Sequence, residues 1–265
     1  MKTDTVITKD NVEIPYFSFG SGERTMVILP GLDVKSVLLA AKSVEAAYRC
    51  FADDWTVYVF DRRKIIPAGY SIREMAADTA AMMHQLGIGA ADVFGASQGG
   101  MIAQYLAADH PELVHSVVLG SSTARCNEVI GATCEKWIAY AEKRDITGLT
   151  GDFIDRLYSD NTIKQFRDFL MHMNDHVSAE DLDRFIILAK SIFGFDARED
   201  LKKVSCPALV IGAEKDLAVG GEAAYELAEL LGCELYVYGR EYGHCVFDEA
   251  PDYKQRLLDF YHKHR

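Results

Sequence analysis

The chain is poor in the features that would mark it as fibrous, membrane-spanning or cross-linked. Only 6 of its 265 residues are proline and 20 are glycine, which excludes a collagen-like or proline-rich disordered polymer. Its longest apolar stretches, such as Met26 to Pro30 and Phe185 to Ala189, fall far short of the roughly 18 residues a membrane-crossing helix needs. Basic charge is also scarce, with 28 Lys and Arg against 40 Asp and Glu for a formal charge of -12. Nucleic acid and anionic membranes both select basic surfaces, so neither is expected as a partner. The cysteines (Cys50, Cys126, Cys134, Cys206, Cys233 and Cys245) include no CxxC pair, and no Cys/His spacing of a zinc site occurs. Free thiols, no metal and no cofactor are therefore expected. The start, Met1-Lys2-Thr3-Asp4-Thr5-Val6, has neither the cationic-then-apolar order of a secretory signal nor the Arg-rich look of a transit peptide, which predicts a cytoplasmic location. Nothing in the sequence defines an oligomeric state.

What is present is the material of one sizeable core, with 49% hydrophobic and 26% charged residues. Short β-branched and aliphatic runs alternate with longer segments of helical period, the pattern of a mostly parallel sheet flanked by helices. The spacing predicts strands at 5–8, 13–19, 25–29, 55–60, 92–95, 116–119, 208–211 and 234–238. Helices are expected at 37–49, 72–85, 99–108, 221–230 and 252–262. From about Arg125 to Asp200 the strand signal vanishes and apolar residues recur at helical spacing, as in Ile130, Cys134, Trp137, Ile138 and Ala141. This predicts an α/β core formed by residues 1–124 and 201–265 and an all-helical cap inserted at 125–200. Trp137, Phe153, Phe166, Phe169, Met171, Met173 and Phe185 are read mainly as the insertion's own core.

Three segments carry chemistry. Gly95-Ala96-Ser97-Gln98-Gly99 reads Gly-x-Ser-x-Gly, directly after a strand-like run and directly before a helix-like one. That context puts the serine on a sharp strand-to-helix turn, which only small neighbours tolerate. A serine hydroxyl is a weak nucleophile at neutral pH and needs a hydrogen-bonded base, itself oriented by a third group. The base is assigned to His244, which follows Gly243 in the loop between the last strand and the last helix, whereas the other seven histidines read as surface or packing residues. The acid is sought just past the buried run Leu209-Val210-Ile211, where Glu214 and Asp216 both occur. Asp216 is preferred. The position past 116–119 that holds the acid in some enzymes of this architecture reads Gly120-Ser121-Ser122-Thr123 and has no carboxylate.

The order Ser97, Asp216, His244, each at the end of a strand, resembles the α/β-hydrolase superfamily over nearly the whole chain, and specifically its cap-bearing serine hydrolases. The stretch Val210 to Asp216, the Gly243-His244 loop followed by Glu249-Ala250-Pro251, and the turn Leu29-Pro30-Gly31-Leu32 all take part in the likeness. The resemblance implies that backbone N–H groups of Leu32 and Gln98 form an oxyanion hole. Two departures stand out: Pro30 stands where the family commonly has histidine, and Asp61-Arg62-Arg63-Lys64-Ile65-Ile66-Pro67 lacks the family's glycine-rich turn. Arg62-Arg63-Lys64 is read as a solvated cluster.

A serine esterase acting on a small or medium ester is the leading expectation, with a small-molecule substrate under an apolar cap. A proline-releasing aminopeptidase, a lactonase, a C–C bond hydrolase or a perhydrolase-like enzyme would use the same triad. A non-enzymatic ligand receptor on this fold stands as the alternative from another class. Ser97 rules out a dehalogenase, which needs an aspartate in its place.

Overall fold

Runs rich in Val, Ile and aromatic residues become strands because branched side chains pack well on a pleated surface. The computed structural model describes residues 1–265, and eight strands form one sheet. They are β1 (Lys2–Ile7), β2 (Glu13–Phe19), β3 (Arg24–Leu29), β4 (Trp55–Phe60), β5 (Ala91–Ala96), β6 (Val114–Gly120), β7 (Ala208–Ala213) and β8 (Glu234–Tyr238). Their spatial order is β1-β2-β4-β3-β5-β6-β7-β8. β2 runs antiparallel to both β1 and β4, and every other pairing is parallel.

Helices α1 (Ala41–Ala47), α2 (Ile72–Gln85) and α3 (Gln98–Asp109) follow β3, β4 and β5. Between β6 and β7 lie α4 (Glu128–Glu142), α5 (Ile146–Leu157), α6 (Asp160–Leu170) and α7 (Ala179–Lys190). The chain closes with α8 (Ala223–Leu231), α9 (Val246–Glu249) and α10 (Tyr253–Lys263). None of these helices is long and apolar enough to cross a membrane.

Both faces of the central strands are covered, so their buried runs are continuous rather than alternating. Val93, Val117 and Val210 point to a core shared with α2, α3 and α8. Their neighbours Phe94, Val118 and Ile211 point to a second core shared with α1 and α10. The α2 boundaries expected from sequence hold to the residue, because Ser71 and Glu74 close a reciprocal capping box at its start. The single helix expected over 37–49 does not form: a 3-10 turn (Val37–Ala40), α1 and a second 3-10 turn (Arg49–Phe51) replace it. There Tyr48 and Phe51 turn inward, with ring centroids 6.0 Å from Phe94 and 5.6 Å from Trp55. Tertiary packing overrides helix propensity at this point.

The segment between β6 and β7 contains four helices and no named strand, and an isolated antiparallel bridge from Arg125 to Asp196 draws its ends together. It has a small core of its own in which Trp137, Phe153 and Phe185 pack, joined by Val34 and Ala218 from core loops. Phe166 and Phe169 depart from expectation, being 52% and 76% exposed on α6. Only Leu170 of that helix is buried, so the apolar face of α6 has too little against it to cover both rings. All six cysteines are free.

Candidate active site

Ser97 sits between β5 and α3 with φ 54° and ψ -121°, a strained conformation for a residue with a side chain, held by the surrounding structure. The turn closes because Gly99 has no Cβ: one there would lie 1.9 Å from the carbonyl oxygen of Leu29. The Ser97 amide donates to Gly120 O at 2.8 Å, and its carbonyl accepts from Gly100 N and from the Ser122 hydroxyl, both at 2.9 Å. Gly31 abuts the serine directly, since a Cβ on it would stand 3.1 Å from Ser97 Cβ.

His244 and Asp216 come together from two loops at the same end of the sheet. His244 Nδ1 lies 2.7 Å from Asp216 Oδ2 in a buried pair. An ionised carboxylate can only accept, so Nδ1 carries the proton and Nε2 is left as an acceptor. The other oxygen, Asp216 Oδ1, accepts from the amides of Ala218 and Val219, both at 2.9 Å, which aims the carboxylate. Glu214, the other candidate acid, is exposed and makes no bond to the imidazole.

Ser97 and His244 line one cavity of about 200 Å³ between the C-terminal ends of the central strands and the four-helix segment. No hydrogen bond joins the hydroxyl to the imidazole here. Pro30, Gly31 and Leu32 form one wall, and Trp137, Phe153 and Leu188 supply an apolar side from the helices. The Leu32 amide has no acceptor within the protein. Neither does that of Gln98, which as the first residue of α3 lacks an intrahelical partner. The positive end of α3, which begins next to Ser97, favours negative charge there.

Two loop acids, Asp33 and Asp248, also line the cavity. Both keep exposed surface at its mouth, and partial desolvation by the surrounding protein raises their carboxyls above the usual range. Burial likewise pushes the Cys245 thiol well up, leaving it an inert wall residue.

Several contributors were not legible beforehand. Ser121 and Ser122, noticed only as lacking a carboxylate, both brace the site. The Ser121 hydroxyl donates to His244 O at 2.7 Å, while Ser122 holds the Ser97 carbonyl. Arg62 is the clearest correction, because it is buried at 6% exposure rather than solvated. Desolvation lowers its guanidinium to about 10. Arg63 is half-buried as well, in a two-pronged ion pair with Asp78 at 2.6 and 2.7 Å. The signal missed for Arg62 was its position just past β4, where its side chain turns under the cavity.

A mostly parallel sheet, a serine on a strained strand-to-helix turn and a carboxylate-backed imidazole on one cavity define a hydrolase-type α/β protein. The chain belongs to the α/β hydrolase fold family, whose model matches residues 25–251. It is 23% identical over 218 residues to 3-oxoadipate enol-lactonase 2 of Acinetobacter baylyi, covering 79% of this chain and 78% of that one. Among solved structures it is similar to MGS-M2, an α/β hydrolase enzyme from a deep-sea metagenome library, with TM-score 0.88 and 22% identity over 97% of both chains. The enol-lactonase of Burkholderia xenovorans superposes with TM-score 0.83 at 20% identity, covering 97% of this chain and 99% of that one.

Proposed function

We propose that the protein is a serine hydrolase of small carboxylic esters, with Ser97 as nucleophile, His244 as base and Asp216 as the acid that orients it. The observation that carries this reading is the 2.7 Å bond from His244 Nδ1 to Asp216 Oδ2, which frees Nε2 for the cavity that Ser97 also lines. Ser97 Oγ adds to the ester carbonyl carbon while its proton passes to Nε2. The carbonyl oxygen becomes an oxyanion held by the Leu32 and Gln98 amides, each of which contributes on the order of 10²- to 10³-fold in rate. Collapse breaks the C–O bond to the alcohol, which leaves with the proton from His244. Water then attacks the acyl-enzyme, again deprotonated by Nε2, and releases the acid and free Ser97. The gap between hydroxyl and imidazole fits this sequence, since catalytic hydrogen bonds often tighten only around the substrate.

The segment 125–200 acts as the cap. Its Trp137, Phe153 and Leu188 receive the apolar part of the substrate, and a cavity of about 200 Å³ limits that part to a few carbons. A second reading, lactonase action on a cyclic ester, draws on the likeness to two enol-lactonases. A lactone needs the same triad and no separate site for a departing alcohol. Turnover of nitrophenyl esters of rising chain length, run beside five- and six-membered lactones, proline anilide and a ring-cleavage diketone, tests both. The reading predicts ester or lactone cleavage with a preference for short chains, and turnover of the anilide or diketone alone contradicts it.

A further inference from the structure

Arg62 is a charged side chain out of solvent at the bottom of the cavity, and the proposed triad chemistry gives it no part. Its Nη2 donates to Pro30 O at 2.8 Å and to Gln98 Oε1 at 3.2 Å. The first acceptor belongs to the turn after β3 and the second to the first residue of α3, so one nitrogen spans the two segments that bear the unpaired amides. Gln98 continues the connection: its Nε2 donates to Leu188 O of α7 at 2.9 Å. The glutamine oxygen must face the guanidinium, because a cation offers no acceptor. Beside it, Asp61 Oδ1 accepts from the Arg62 amide and from Arg184 Nη2 of α7, both at 2.7 Å.

Two things follow from this arrangement. Asp61, Arg62 and Arg184 form one charge group at the base of the cavity, with two cations to one carboxylate, while Asp33, Lys35 and Asp248 also line its wall. Both contacts leave the same Nη2, a position that a lysine does not reach, because its ammonium ends one bond nearer the backbone.

We infer that Arg62 is a positioning residue that clamps the Pro30–Leu32 turn to the start of α3 and, through the Gln98 side chain, makes the oxyanion hole depend on the seating of α7. This assignment deepens the serine-hydrolase reading and rests on it. It requires Arg62 to act on the transition state and not on ground-state binding.

The test compares wild type, Arg62→Met, Arg62→Lys and Gln98→Met in three measurements: kcat and KM on a short nitrophenyl ester, inhibition by an alkylboronic acid, and melting temperature. The boronic acid forms a tetrahedral anion on a reactive serine and so reports on the hole. Arg62→Met is expected to lower kcat about 10- to 10²-fold with KM within about twofold, and to weaken boronate inhibition by the same factor. Arg62→Lys restores the charge but stops one bond short of the Nη2 position, and recovers less than half of the lost rate. Gln98→Met keeps the buried cation and loses about 10-fold in kcat and in boronate affinity, which carries the test should Arg62→Met fail to fold. Unchanged kcat in a folded Arg62→Met, full recovery in Arg62→Lys, or loss of kcat with boronate affinity intact overturns the clamp while leaving the hydrolase reading standing. A wild type that neither cleaves the ester nor binds the boronate overturns both.

Discussion

The amide of Cys245 donates to the carbonyl of Leu157 at 2.7 Å, so the residue next to the imidazole hangs on the last residue of α5. Glu249 doubles that tie, its two oxygens accepting from Gly243 N at 3.0 Å and from Ser159 N at 2.8 Å. The loop that carries His244 is thus fastened to the helices above the cavity, not only to the sheet below.

Glu249→Ala should therefore hurt both stability and turnover. Two backbone donors lose a charged acceptor, which costs about 2 kcal/mol, or roughly 4–8 °C in melting temperature. The His244 loop gains freedom, so kcat falls by about 10-fold or more as the imidazole leaves its productive geometry. Thermal unfolding and steady-state kinetics check the two arms separately, and a variant with unchanged melting and unchanged kcat refutes the tie.

Asp216→Asn leaves the fold nearly intact, because a side-chain oxygen can still accept from Ala218 and Val219. The new amide NH₂ then faces His244 Nδ1 and selects the tautomer with the proton on Nε2, where it cannot serve as base. A loss of kcat on the order of 10⁴-fold is expected with little change in melting temperature. Steady-state kinetics with calorimetry measures it, and a loss below about 10-fold would show that another group orients the imidazole.

Asp33 supplies a pH test. Its folded carboxyl is raised above the ordinary value by burial. The penalty for ionising it is therefore present above the folded pKa and gone below the unfolded one. Asp33→Asn should stabilise the protein at pH 8, and the gain should shrink to nothing as the pH falls below about 4. Melting curves from pH 4 to pH 8 decide it, with a gain that grows toward acid as the contrary result.

Much of the architecture could be read beforehand where local and tertiary signals agree. The strands at 55–60 and 234–238 and helix α2 match to the residue; for the first strand and for α2, an alternating and a capped pattern coincide with burial. Segment α1 did not, since its aromatic residues answer to Trp55 and Phe94, both distant in sequence. At the candidate site, the loops that bring Ser97, His244 and Asp216 to one end of the sheet were legible because each follows a strand. Arg62 was not: a run of three basic residues looks solvated until the fold closes over Arg62 and partly over Arg63. Ser121 and Ser122 were equally opaque, since a hydroxyl that braces a distant carbonyl leaves no periodic or spacing signal.

The most direct test of the account is intact-protein mass spectrometry after exposure to a fluorophosphonate, followed by peptide mapping of the wild type and of Ser97→Ala. One phosphonyl adduct on Ser97 is predicted, absent from the variant, with ester turnover reduced by at least about 10³-fold. An adduct on another residue, or turnover in Ser97→Ala close to that of the wild type, contradicts it.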